Sequence, residues 1–170
     1  MNVFFHTTTA IGIAIALTDT QHFHSNTPIK NTFPIAFCAF VVGIIGHGAL
    51  DYIPHCYPIP SKADVVFGLF IILICLWRSH NTYRFILFAS FVGSIFPDLI
   101  DLSPSILHKY IGTPIPTTAK LFPWHWHEYS GSIYTQNCDV STFNHILVLI
   151  TVTIICWFRR RDLKVIFNKK

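Results

Sequence analysis

His47 and Asp51 stand four residues apart at the end of an apolar run, Phe33–Leu50, that holds no charged residue. On a helix, positions i and i+4 share a face, so this imidazole and this carboxylate point the same way. Pro54 ends that helix, and His55 follows at the turn. A second pair, Asp98 and Asp101 in Phe96-Pro97-Asp98-Leu99-Ile100-Asp101, closes another apolar run. An Asp at mid-helix in a membrane costs ~2.5–3.5 kcal/mol on insertion scales and normally faces a partner or a cavity. Carboxylates gathered beside imidazoles suit a divalent cation, which offsets their mutual repulsion. Nitrogen and oxygen donors of this kind favour zinc, with manganese or iron as alternatives. In such a centre the ion acidifies a bound water and a free carboxylate takes its proton.

The elements that must position these groups are apolar helices. The chain has 170 residues, 52% hydrophobic and 12% charged, with a mean hydropathy of +0.50. Soluble domains are about a quarter charged. Long apolar blocks with so little polar cover point to an all-α, polytopic membrane bundle forming one integral-membrane domain over residues 1–170. Five segments serve as spans: Val3–Thr18, Phe33–Leu50, Asp64–Trp77, Arg84–Leu102 and Phe143–Phe158. No basic n-region or small-residue cleavage site marks the start as a secretory signal. The net charge of +4 comes from a basic C-terminal cluster and not from a stripe with aromatics, so no nucleic-acid partner is expected. The expected partners are membrane lipids, with a lipid-like substrate.

Lys and Arg in the short loops set the orientation. Arg159, Arg160, Arg161, Lys164, Lys169 and Lys170 place the C-terminus in the cytoplasm, and alternation puts Arg78, Arg84 and Lys30 on the same side. Residues 103–142 then form a long outer loop or cap. The same alternation gathers His6, His47, Asp51, His55, Asp64, Asp98, Asp101, His125, His127, Glu128 and His145 at the outer face. His22, His24 and His80 fall on the other side. From this set His47, Asp51, Asp98 and Asp101 are expected to form the floor of a metal site. His6 and His145 approach from the first and fifth spans, and His125 or His127 closes the site from the outer loop. Asp101 or Glu128 is expected as the base. With so many donors, a two-metal arrangement is open.

Simpler roles exist for the same residues. His6 could be a solvated or capping residue, and Asp98 or Asp101 a helix cap. Trp124-His125-Trp126-His127-Glu128-Tyr129 could be an interfacial aromatic belt, and Ser141 and Asn144 could cap the fifth helix. Cys38, Cys75 and Cys156 lie inside spans, where Cys acts as a small apolar residue. Cys56 and Cys138 share the outer side, as a disulfide tying the loop to the site, as thiolate ligands, or as two unrelated thiols.

His47-x-x-x-Asp51 followed by Pro54, the Pro97-Asp98-x-x-Asp101 block and the early His6-Thr7-Thr8-Thr9 resemble the membrane-bound metal-dependent hydrolases of the YdjM type. Those proteins carry an early Gly-His, a Pro-Asp-Ile-Asp-His block and a His-x-x-x-Asp block. The stretch from Gly43 to His55 is also similar to a segment of zinc-dependent phospholipase C. The resemblance implies metal-dependent hydrolysis, with His6, His47, Asp51, Asp98 and Asp101 as ligands. Here the carboxylates are three residues apart where the family has two, no His follows them, and the family's Arg-Gly-x-Thr-His-Ser block is missing. The expected function is hydrolysis of a phosphoester or ester at the outer membrane face. The alternatives are a metal-binding transporter, which needs polar groups along a path between both faces, and a non-catalytic scaffold. An intramembrane zinc protease would show His-Glu-x-x-His, which is absent.

Overall fold

A short apolar helix at the start of the chain organises the fold. In the computed structural model, which describes residues 1–23, 27–112, 120–134 and 138–168, this helix (α1, Val3–Leu17) packs on four others. They are α2 (Ile29–Tyr52), α3 (Ser61–Arg78), α4 (Asn81–Asp101) and α6 (Asp139–Phe158). Two short amphipathic helices, α5 (Ser103–Ile111) and α7 (Arg160–Phe167), follow α4 and α6. A 3-10 turn, Pro123–His125, lies between α5 and α6. The described residues are all-helical apart from one isolated bridge between His55 and Ser132. His24, Lys169 and Lys170 lie outside the described residues.

All five apolar segments are helical, but they differ in reach. Lys30–Tyr52, Asn81–Asp101 and Asp139–Phe158 are long and apolar enough to cross a membrane. At 15 residues α1 is shorter than a usual span, and α3 carries Lys62, Asp64 and Arg78 within its 18 residues. Large apolar side chains are exposed along α3 (Val66, Phe70, Leu73, Trp77) and α6 (Phe143, Ile146, Ile150, Trp157), as a lipid-facing surface requires. The inner core joins Ala10, Ala14 and Ile15 of α1 to Tyr83, Leu87 and Phe91 of α4, with Ile166 of α7 beneath.

Small residues set the closest helix pair, α2 against α4. A Cβ on Gly93 would lie 2.1 Å from the Phe40 carbonyl oxygen, and one on Gly43 2.9 Å from the Ser90 carbonyl oxygen. The backbones touch there, which only glycine permits. Serines join α4 to α1: Ser90 Oγ donates to the Ala10 carbonyl at 2.8 Å, and Ser94 Oγ to the His6 carbonyl at 2.9 Å. Asp64 of α3 accepts the free Val3 and Phe4 N–H groups at 2.7 and 2.9 Å, so α1 is capped by another helix. Its position at the start of the third apolar segment was legible, but not this role.

The segment 120–134 is stitched to the end of α2. Gly131 N–H donates to the Asp51 carbonyl, His55 N–H to the Gly131 carbonyl and Ile133 N–H to the His55 carbonyl, at 2.7–2.8 Å. A Cβ at Gly131 would sit 2.1 Å from the Ile53 carbonyl oxygen, so the approach demands glycine. Cys56 and Cys138 form a disulfide with their Cα atoms 5.9 Å apart, which excludes the thiolate-ligand alternative. Within residues 103–142, α5 takes up the start, and α6 begins at Asp139. Ser141 and Asn144 lie inside α6 and do not cap it. Ser141 Oγ accepts the Cys56 N–H at 2.7 Å, and Asn144 Nδ2 donates to the Pro54 carbonyl at 2.7 Å.

Candidate metal centre

α2 delivers His47 and Asp51 one turn apart, α4 delivers Asp98, and the 3-10 turn delivers His125. Their ligand atoms all lie within 4.8 Å of one another. His47 Nε2 is 3.1 Å from Asp51 Oδ2, 3.6 Å from Asp98 Oδ1 and 3.3 Å from His125 Nε2. His125 Nε2 is 3.4 Å from Asp51 Oδ2 and 3.3 Å from Asp98 Oδ1. A tetrahedral ion with bonds of ~2.0–2.1 Å has donors ~3.3–3.4 Å apart along each edge. The five measured edges centre on that value, so the cluster could hold a metal ion.

The far nitrogens fix the tautomers. His47 Nδ1 lies 2.7 Å from the Ser94 carbonyl and His125 Nδ1 2.7 Å from Asp101 Oδ2. A carbonyl or carboxylate only accepts, so each Nδ1 carries a proton and donates it, and each Nε2 faces the centre. Carboxylate–histidine–metal chains have this arrangement. Burial works to lower the His125 pKa, but hydrogen bonds to Asp51, Asp98 and Asp101 outweigh it and hold the pKa up to about 10. A field that draws a proton this strongly also draws a cation.

Asp101, expected as ligand and base, stands one step behind the donors. Its Oδ1 accepts the Leu121 N–H at 2.8 Å, and its Oδ2 accepts the Phe122 N–H at 3.0 Å as well as His125 Nδ1–H. It thereby fastens the segment 120–134 while orienting His125. Lys120 Nζ donates to the His125 carbonyl at 2.8 Å from the same segment. Trp124 completes the placement by lying flat on Gly48, where a Cβ would come within 2.7 Å of the indole. Neither Asp101's anchoring role nor the Trp124 contact was read from the sequence. The glycine beside His47 was the available sign of a close approach.

The other expected residues are spread around this core. His6 is buried and stacks on His47 with ring centroids 4.0 Å apart. Its Nε2 is 3.2 Å from Asp51 Oδ1, though without hydrogen-bond alignment, and its Nδ1 has no partner. The Met1 amino group pairs with the same Asp51 oxygen. His145 is buried against Phe5 and is not among the four donors. His127 and Glu128 are exposed and also outside the group. His55 lies beyond it, with Nδ1–H donating to the Ile53 carbonyl at 2.8 Å and Nε2 3.2 Å from both Tyr57 Oη and Ser132 Oγ. Burial, aided by the N-terminal ammonium, lowers its pKa to about 4.

Access is uneven. The Asp98 side chain is 27% exposed, against 0–10% for those of His47, His125 and Asp51. The centre is therefore closed on three sides and open at Asp98. The chain matches no protein-family model, no curated protein and no solved structure.

Proposed function

We propose that this protein is an integral-membrane, metal-dependent hydrolase with five spanning helices, a cytoplasmic C-terminus and its centre at the outer face. The observation that carries the reading is the set of four donors, two imidazoles and two carboxylates, with five of their six separations at 3.1–3.6 Å, close to the edges of a tetrahedron. Zinc suits that donor set, and the bound ion would supply a water acidic enough to ionise near neutral pH. His47, His125 and Asp51 are the permanent ligands, each buried and held by its own element. Asp98, the exposed member, is the residue placed to act as base toward a water that a bound ion would supply. Asp101 keeps His125 in the ligating tautomer. A phosphoester or ester at headgroup level is the substrate class, in line with the depth of the site and the resemblance to the YdjM type.

A second reading has its own support: four protein ligands are what structural zinc sites use, whereas catalytic sites keep a position open. The two readings part at Asp98. In detergent-purified protein the wild type should hold one metal per chain, and His47→Ala should lose it. Asp98→Asn should keep most of the metal and lose hydrolysis of a phosphodiester such as bis(4-nitrophenyl) phosphate. If the metal-loaded wild type cleaves neither phosphoesters nor esters, the structural reading replaces the catalytic one. A wild type that binds no divalent ion would remove both.

A further inference from the structure

A groove of about 320 Å³ runs between α1, α2 and α6, within the ~300–1,000 Å³ range of ligand sites. Its outer end is marked by Leu50, next in sequence to Asp51, and by Thr9, one turn along α1 from His6. Its inner end is marked by Leu17 and Ile155. From Thr9 to Leu17 it covers ~12 Å of α1. Beside the groove Gly46 lets α1 approach α2 closely, since a Cβ there would lie 3.2 Å from Ile13 Cδ1 and 3.7 Å from Thr9 Cγ2.

Two features of this groove point to an amphiphile. Its walls are apolar except for Thr9 and Thr151, and Thr151 Oγ1 is already bonded to the Leu147 carbonyl at 2.8 Å. At the outer end, by contrast, Thr9 Oγ1 is buried without a partner. One turn further out on the same face of α1, His6 Nδ1 is also buried without one. A ligand with a hydrocarbon chain and a polar linkage would satisfy both parts. A neighbouring helix ~10 Å across would need roughly 900 Å³ over the same length, so it could only rest on the rim.

We propose that this groove seats one acyl chain of a bilayer phospholipid, with the ester linkage at Thr9 and His6 and the phosphoester presented to His47, Asp51, Asp98 and His125. This rests on the hydrolase reading for the fate of the lipid, but not for its binding. The test uses purified protein in detergent with phosphatidylcholine carrying a diazirine on one acyl chain, photolysed and mapped by mass spectrometry. Labelling should fall on Ile13, Val148 or Val152 and saturate near one lipid per chain. Ala16→Phe at the inner end and Val42→Phe on the α2 wall should each lower it at least fivefold while retaining metal. Labelling spread without saturation over Val66, Phe70 and Ile150, or unaffected by both filling variants, would overturn the groove. Crosslinks between two chains through α6 would do the same. Saturable labelling in a protein that cleaves no phosphoester would sink the hydrolase reading and leave the lipid site standing. If phosphoesters are cleaved, Ala16→Phe should slow a long-chain substrate and spare a short-chain one. Equal effects on both would count against the chain site alone.

Discussion

Replacing Asp101 by Asn tests the centre without touching a donor atom. The carboxylate accepts three hydrogen bonds, from Leu121 N–H, Phe122 N–H and His125 Nδ1–H, at 2.8, 3.0 and 2.7 Å. An amide offers one oxygen and one NH₂. If the oxygen takes the Oδ2 position, it keeps Phe122 and His125, but the NH₂ then opposes the Leu121 N–H. If it takes the Oδ1 position, the NH₂ opposes two donors, including the His125 proton. The first arrangement is the cheaper, and it still exchanges charge-assisted bonds for neutral ones. Hydrogen bonds to charged groups are worth ~1.5–3 kcal/mol and neutral ones about half that. The loss at the centre is therefore ~2 kcal/mol, or about 30-fold in affinity at ~1.4 kcal/mol per tenfold. This lies inside the 10–100-fold range known for outer-shell partners of ligating histidines. Competition against a chromophoric zinc chelator would read it directly, with Asp101→Ala expected to cost more. An unchanged affinity in Asp101→Asn would refute the orienting role. Complete loss of metal with the fold intact would mean that Asp101 is itself a ligand.

Gly48→Ala sets a Cβ 2.7 Å from the Trp124 ring; the turn bearing His125 should shift, and overpacking of ~1–3 kcal/mol should appear as a lower thermal midpoint together with weaker metal binding. Cys138→Ser opens a disulfide that spans 82 residues, and a loss of ~2–4 kcal/mol should appear as faster proteolysis near residues 120–134. The folded pKa of His55 is about 4 against 6.5 in the unfolded chain. Its contribution is therefore complete above pH 6.5 and falls away as pH drops toward 4, by ~3 kcal/mol. Hydrogen exchange at Gly131 and Ile133 should rise across that window, and His55→Gln should flatten the rise.

The helices were legible because apolar runs of this length have few other solutions, yet their limits moved. α2 begins at Ile29 and not Phe33, which leaves Pro34 inside the helix. α4 passes through Pro97 to Asp101, with the proline in its last turns. α5 and α7 went unseen because short amphipathic helices leave little trace beside long apolar ones. His47, Asp51 and Asp98 could be grouped because alternation through a membrane sorts ends of helices by side. Choosing His125 over His127 was beyond the sequence, since both lie in one aromatic run and the choice is made by Trp124 docking on Gly48 and Asp101 holding His125. Asp101 looked like a donor because it lies one turn from Asp98; its engagement by Leu121 and Phe122 N–H groups depends on how the segment 120–134 folds back.

The crossing of α2 and α4 at Gly43 and Gly93 has a mechanical consequence. Backbone contact there makes it a fulcrum, with His47 four residues and Asp98 five residues beyond it. At 1.5 Å per residue the lever arms are only ~6 and ~7.5 Å. A ~10° change in helix tilt, of the size that bilayers of different thickness impose, would move these donors by only ~1 Å. The opposite ends of the helices, some 20 Å from the fulcrum, would swing about three times as far. The fold thus holds the donor set nearly still while the far half of the two helices takes up the change in tilt.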